Sequence, residues 1–452
     1  MAIRFGVNRR TRLVNPNKIR LEFFSTADAP LAYIAGQPVL LSQFQYDVET
    51  LAGQIKQSKG ETLITTTKRY PFSVALLASW LAGRTAILPP DQRHSTLQNI
   101  RSEQAIGIEY GDTGCTPFAV DPSEAEHGRW RIELDGTQPA VTLYTSGSTG
   151  TPMAVTKTIG NLLSEAHCIH NTFNWPSGPI MGTVPPQHLY GLTFTILLPW
   201  VSGAAWVDEM PLYPQDISNI IQQTQAASLI SVPAHYQALL ANPMEPIPEF
   251  FLSAAAPLAS GTAVQWQQQY HHPILEIYGS TETGVIGFRQ QPHRAVWQTF
   301  DPVRISVNAD LLTVSSPFVS PAWASGFQTA DQVILADNNQ FELCGRSDSI
   351  VKIAGKRVSL NEVEQALAEC QGITEASAIA VSVDSLIRDK AVWAVAATAH
   401  PEMLSVSQLR TELQKKLDNI SIPKRFVFVD KLPRNARGKI QRQAIENLFR
   451  VT

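Results

Sequence analysis

Tyr144-Thr145-Ser146-Gly147-Ser148-Thr149-Gly150-Thr151-Pro152 follows directly on an apolar run, residues 140–144, that reads as a β-strand. Small residues let the backbone curl until several N–H groups point inward, and the neighbouring hydroxyls add donors, so the stretch reads as a nest for polyphosphate oxygens. An ordinary Ser/Gly turn is the alternative. A Walker A loop is excluded, because no Lys and hydroxyl follow the second glycine. Beyond the loop a helix is expected near residues 161–171, then a strand before Pro185.

The same alternation extends in both directions. Residues 63–67 read as a strand, 74–81 as an apolar helix that Gly83 stops, and 85–88 as a strand, which together make a β-α-β unit. Further strands are expected at 229–232, 249–252 and 274–278. Apolar strands alternating with helices predict an α/β fold with parallel-rich sheets covered on both faces. After about residue 305 the texture changes to short strands and turns, with 311–314 and 332–336 as strands and Asp337-Asn338-Asn339 as a turn. Near the end come a helix at 360–370, strands at 376–381 and 391–396, and a helix with Leu409, Leu413 and Leu417 on one face. The expected organisation is a large N-terminal domain of layered sheets and helices, residues 1–347, and a small mobile α+β C-terminal domain, residues 348–452.

Composition narrows the partners. At 44% hydrophobic and 17% charged, the 452 residues describe a chain that folds, and a net charge of −3 gives no field to recruit nucleic acid. The four cysteines show no C-x-x-C spacing, and no apolar segment follows Arg9, Arg10 and Arg12 to act as a secretory signal. A cytoplasmic location is therefore expected, and no apolar run is long enough for a stable membrane span.

The opening stretch resembles the phosphate loop of the adenylate-forming superfamily, which includes acyl-CoA synthetases, luciferases and the adenylation domains of peptide synthetases. Four further segments resemble that family's motifs in the same order. Glu276-Ile277-Tyr278-Gly279-Ser280-Thr281-Glu282-Thr283 is similar to Y-G-x-T-E, and Phe327-Gln328-Thr329-Ala330-Asp331 to T-G-D. Gly345-Arg346-Ser347-Asp348, with Lys352 and Gly355, resembles the hinge block, and Pro433-Arg434-Asn435-Ala436-Arg437-Gly438-Lys439-Ile440 the terminal motif. The resemblance covers residues 70–445.

It implies a compact AMP-forming acid ligase that turns a carboxylic acid into acyl-AMP and passes the acyl group to CoA or to a carrier-protein phosphopantetheine. ATP and Mg²⁺ would be its cofactors, and its partners a small-molecule carboxylic acid and, as a candidate, an acyl carrier protein. By this resemblance Thr145, Ser146, Gly147, Ser148, Thr149 and Gly150 hold phosphates, Ala255 and Ala256 border the adenine slot, and Tyr278, Gly279 and Ser280 flank the base. Thr281 bonds a phosphate oxygen and Glu282 holds Mg²⁺; Asp331 and Arg346 take the ribose; Asp348 is the hinge; Gly355 lines the thiol channel. Lys439 delivers its ammonium to carboxylate and α-phosphate, and His188, in a segment resembling H-x-x-G, lies beside the acid.

Several features depart from the pattern. Met153 and Ala154 stand where the family has Lys and Gly, and Lys157 is expected to substitute for the lost lysine. Alanines at 254 and 255 replace the two glycines of S-G-G-A-P-L, and no Asp lies near residue 188 to take an α-ammonium, so an aryl or short to medium acyl acid is expected. His167, Cys168 and His170 could be drawn as a metal site but read as packing, having no further ligand nearby. Three other readings stay open: a ligase that loads only an acyl carrier protein, a luciferase-like oxygenase, and a non-catalytic nucleotide-binding pseudoenzyme.

Overall fold

The computed structural model of the chain describes residues 18–25, 30–112, 128–146, 152–291, 296–336, 339–347, 350–353, 356–382, 390–434 and 440–451. Two compact units emerge. The larger comprises Met1–Ser306, Thr313–Phe327 and Ala336–Phe341, and the smaller Val307–Leu312, Gln328–Leu335 and Glu342–Thr452. The division runs through four strands, Arg304–Asn308, Leu311–Ser315, Phe327–Ala336 and Gln340–Arg346, rather than falling at a single point near residue 347.

In the large unit the helix Arg69–Leu81 is mostly apolar and buried on every face, as an interior helix must be. Leu76 and Leu77 are 0% exposed, and burying each contributes about 1.5–3 kcal/mol. Trp80 Nε1 donates to the Ala140 carbonyl at 3.1 Å, which satisfies the one polar atom of that ring. This helix follows the strand Glu61–Ile64 of a five-stranded sheet ordered Ile106–Tyr110, Glu61–Ile64, Ala86–Leu88, Pro139–Ser146, Pro152–Thr158. The first four of these strands run parallel and the last pairs antiparallel.

A second sheet carries Ile180–Gly182, Ser228–Ser231, Phe250–Ser253 and Ile274–Ser280 side by side and parallel. Almost every residue of these strands is buried, as expected when helices cover both faces. After Ile274–Ser280 the chain doubles back as Gly284–Gln291, antiparallel, and Trp297–Thr299 continues the sheet to Gln340 and Phe341. The sheet is thus mixed. The parallel reading holds for its central strands only.

In the small unit Glu375–Ser382 pairs antiparallel with Lys390–Ala397, which pairs parallel with Arg425–Val429. Helices Leu360–Ala368 and Val406–Gln414 set Val363, Leu367, Leu409 and Leu413 against Ala378, Val392, Ala394 and Ala396 on one face. The last helix, Arg442–Val451, covers Ile379, Val395 and Ala397 on the other with Ile445 and Phe449. Among the described residues no helix is long and apolar enough to cross a membrane.

Candidate active site

The strand Pro139–Ser146 ends on Thr145 and Ser146, which face Met153 and Pro152 of the returning strand Pro152–Thr158. Gly147, Ser148, Thr149 and Gly150 lie outside the described residues. The chain therefore leaves the Ser/Thr/Gly stretch on a strand rather than directly on a helix. The helix comes next, as Ile159–Thr172, started by a reciprocal cap in which Thr158 Oγ1 accepts from Asn161 N at 3.1 Å and Asn161 Oδ1 from Thr158 N at 3.0 Å.

Alternation along Pro152–Thr158 decides the fate of Lys157. From Ala154 to Lys157 exposed and buried residues alternate, so Val155 and Lys157 turn inward and Lys157 is 0% exposed, while Met153, at the open end of the same face, is 40% exposed. Its Nζ donates to the carbonyls of Phe318 at 2.5 Å and Glu282 at 3.3 Å. Burial pushes the ammonium down to about 8, opposed by the charges of Glu165 and Glu282, and burial pushes the Glu165 carboxyl up. Lys157, expected to replace the missing phosphate-loop lysine, thus directs two of its N–H donors to backbone carbonyls inside the protein.

The Tyr278–Gly284 segment is a closed turn between two antiparallel strands. A register shift falls at Tyr278/Gly279, where a Cβ on Gly279 would meet the Gly284 carbonyl at 2.4 Å. Ser280 N donates to Thr283 Oγ1 at 3.2 Å and Thr283 N to Ser280 Oγ at 3.2 Å, which ties the turn across its base. Gly284, at φ +75°, packs where an added Cβ would lie 2.8 Å from Phe318 Cβ and 2.9 Å from Glu165 Oε1. Thr281 and Glu282, at the tip, are half-buried. Tyr278 stands with its ring centroid 5.5 Å from that of Trp297 and 5.8 Å from that of Phe341.

For a magnesium ion the donor set fits. Among the described residues no group of three or more His, Cys, Asp or Glu could hold a metal. Mg²⁺ in nucleotide sites takes one or two protein carboxylates and completes its shell with phosphate oxygens and water, which a lone Glu282 on a fixed turn can satisfy. At His167 burial, with the charge of His170 beside it, pushes the imidazole down to about 4, and burial lowers His170 as well.

Ala255 lies in the loop after Phe250–Ser253, exposed and at φ +71°. That left-handed conformation favours glycine, so the alanine is strained there. Ala256 beside it is exposed too. The loop's far end is pinned by Glu276, which accepts from Leu258 N at 2.9 Å, Arg289 Nε at 2.6 Å and Gln291 Nε2 at 2.8 Å. Sequence reasoning missed Glu276, Arg289 and Glu165. The signal available for Glu276 was a carboxylate inside the apolar run Ile274-Leu275-Glu276-Ile277.

His188 is half-buried and caps the helical run that starts at Leu189. That run passes through a π-helical segment, Thr193–Leu197, before ending at Ser202. Gln187 beside His188 donates to the Thr66 carbonyl, and Tyr190 Oη donates to the carbonyls of Ser231 at 2.8 Å and Leu252 at 3.1 Å. Thr183 Oγ1 lies 2.7 Å from both His235 Nδ1 and Ser231 Oγ, a polar cluster the sequence did not signal.

In the small unit, Asp331 is 9% exposed and its carboxylate meets Arg346 Nη1 at 3.5 Å. Asp348, Gly355 and Lys439 lie outside the described residues. Ile350–Ile353 and Lys356–Ser359, which flank Gly355, pair antiparallel. Arg434 and Ile440, which flank the Lys439 segment, form an isolated bridge, with Gln441 N donating to the Pro433 carbonyl at 3.2 Å.

Comparison with known proteins agrees with this architecture. Residues 32–307 match the AMP-binding enzyme family and residues 362–439 the AMP-binding enzyme C-terminal domain. A 4-coumarate–CoA ligase of Rhodobacter capsulatus is 30% identical over 65% of this chain and 73% of its own length. The 4-hydroxybenzoate–CoA/benzoate–CoA ligase of Rhodopseudomonas palustris is 25% identical over 70% of this chain and 67% of its own. An L-proline–[L-prolyl-carrier protein] ligase of Pseudomonas fluorescens is 25% identical over 72% and 73%. By contrast, the chain spans 5% of the length of bacitracin synthase 3 from Bacillus licheniformis. O-succinylbenzoate coenzyme A synthetase from Bacillus subtilis, solved with ATP and magnesium ion, shares the fold at a TM-score of 0.79 and 20% identity, covering 93% of this chain and 97% of that one. With both the large and the small domain of the family matched in order along one polypeptide, the chain belongs to the AMP-binding enzymes of the adenylate-forming superfamily.

Proposed function

We propose that this chain is an acid–thiol ligase. It joins a carboxylic acid to AMP at the expense of ATP, releases pyrophosphate, and transfers the acyl group to the thiol of CoA or of a carrier protein's phosphopantetheine arm. The observation that carries the proposal is the tied Ser280–Thr283 turn, which holds Thr281 and Glu282 half-buried in a member of the AMP-binding family. Residues 1–347 are the adenylation domain in this reading and 348–452 the lid, turning about Asp348.

Each residue has a defined task. Backbone N–H groups and hydroxyls from Thr145 to Gly150 take the outer phosphates, and Tyr278 offers a flat face to adenine. Asp331 accepts from the ribose hydroxyls with Arg346 beside it. Glu282 would hold Mg²⁺, which would supply positive charge against the phosphate oxygens. One oxygen of the acid attacks the α-phosphorus in line while the bond to the pyrophosphate bridging oxygen breaks, and Thr281 donates to a phosphate oxygen. Lys439 brings its ammonium to the carboxylate and the α-phosphate together. In the second step the thiol sulfur attacks the acyl carbon past Gly355, its proton goes to solvent, and AMP leaves. His188 borders the acid. Lack of an Asp near it and the likeness to ligases of aromatic acids support an aryl or short to medium acyl substrate without an amino group.

Pyrophosphate release over a panel of acids, run with CoA and with a holo carrier protein, tests the proposal. Turnover with an acid lacking an amino group is expected, and Lys439→Ala should slow adenylation about 10²- to 10³-fold with ATP binding kept. Background release with every acid would leave a nucleotide-binding pseudoenzyme in its place.

A further inference from the structure

The buried Lys157 and Glu165 belong to no step of that chemistry, yet both grip the turn that carries Glu282. Lys157 lies on the strand leaving the Ser/Thr/Gly stretch, and its Nζ donates to the carbonyl of Glu282 itself at 3.3 Å and to that of Phe318 at 2.5 Å. Glu165, 1% exposed on the following helix, accepts from Val285 N at 2.7 Å. Ser320 N donates to the same Glu282 carbonyl at 3.2 Å, and Ser320 Oγ to the Thr156 carbonyl at 2.6 Å. Asn161 Nδ2 adds bonds to the carbonyls of Pro317 at 2.7 Å and Val319 at 3.2 Å. Gly284 leaves no room for a side chain between Phe318 and Glu165, so the chain from the Glu282 carbonyl to Val285 is clasped by fixed partners.

A charge so deeply buried is expensive unless paired and fully hydrogen-bonded. Surface lysines bind phosphate without that cost, so the arrangement has a different purpose. Fixing the backbone of a carboxylate ligand leaves only its side-chain torsions free, and the groups that orient a metal ligand affect metal affinity strongly although they never touch the ion.

We propose that Lys157, balanced by Glu165, is a positioning residue for the nucleotide's metal: it holds the Glu282 peptide so that the carboxylate faces Mg²⁺. The inference rests on the reading of Glu282 as the metal ligand. It assigns to Lys157 a task on the metal side of the site in place of the phosphate contact expected from its distance in sequence from Met153.

Titration calorimetry of ATP with the full-length protein, once in Mg²⁺ and once in EDTA, tests it. The unsubstituted protein should bind ATP more tightly in Mg²⁺. Lys157→Met should bind ATP in EDTA as the unsubstituted protein does, with the gain due to Mg²⁺ cut about 10- to 100-fold. Lys157→Arg, which keeps the charge and the donors, should recover part of that gain. Full retention of the Mg²⁺ gain in Lys157→Met would overturn the inference, as would an equal loss in EDTA, which marks a direct phosphate contact or a general role in folding. Should Lys157→Met not fold, Glu165→Gln is measured in its stead, with the same selective loss expected and full retention decisive against. If the unsubstituted protein binds ATP equally in Mg²⁺ and EDTA, the metal role of Glu282 fails first, and the inference falls with it.

Discussion

Two opposite-charge pairs stand beside predicted nucleotide-binding residues, and they are built in contrasting ways. Lys157 and Glu165, in the large unit, are 0% and 1% exposed; the Lys157 ammonium donates to the Glu282 and Phe318 carbonyls, and one Glu165 oxygen accepts from Val285 N. Asp331 and Arg346, in the small unit, meet at 3.5 Å with the arginine side chain 48% exposed. A buried pair is costly to break because one charge is left without a partner in a low-dielectric interior, whereas a solvated pair is worth about 0–1 kcal/mol. The contrast teaches that the first pair is committed to architecture, while the second keeps a guanidinium within reach of a ligand.

The largest expected effect breaks the buried pair. Glu165→Ala should lower stability by about 1–3 kcal/mol in urea unfolding, since it leaves the Val285 N–H without its acceptor and removes a charge that favours the Lys157 ammonium. A loss below about 1 kcal/mol would place Glu165 among the solvated charges.

Next comes a pH effect on the same helix. Unfolded, His167 takes up a proton near 6.5, but folded it resists until about 4, because burial and the neighbouring His170 disfavour its charge. Between those values the unfolded chain binds more protons, so stability falls as pH falls through that window. Thermal melts should show His167→Gln losing several degrees less than the parent between pH 6.5 and 4, with His170, lowered by burial as well, keeping part of the slope.

A smaller gain is expected from Ala255→Gly. Glycine adopts the φ of +71° without the Cβ clash, which should raise stability by about 1 kcal/mol, less the added freedom of the unfolded chain. An unchanged midpoint would mean that the loop relaxes around alanine at no cost. Smallest in stability is Arg346→Ala, expected within about 1 kcal/mol of the parent. Its effect should appear instead as weaker binding of AMP, measured by calorimetry. Equal AMP affinity would remove Arg346 from the ribose site.

Much of this protein was legible in its sequence because the signals are local. Apolar runs of strand length marked Ser228–Ser231, Phe250–Ser253 and Ile274–Ser280, and helical spacing marked Leu360–Ala368. The ordered motifs marked the family, which the matches to its large and small domains bear out. The strand Pro152–Thr158 was missed because its pattern is short and carries a lysine at an inward position. Glu276 escaped for a related reason, since its three donors come from residues 258, 289 and 291.

What the sequence alone determined was the order of strands and helices, the membership in the AMP-binding enzymes and the residue types available for a magnesium nucleotide. Only the tertiary structure decided what each charge faces. Lys157 looks like a free cation four residues past Met153 until residues 165, 282 and 318 fold around it. Propensity and periodicity act over a few residues, but the two carbonyls that take up this ammonium arrive from 125 and 161 positions away.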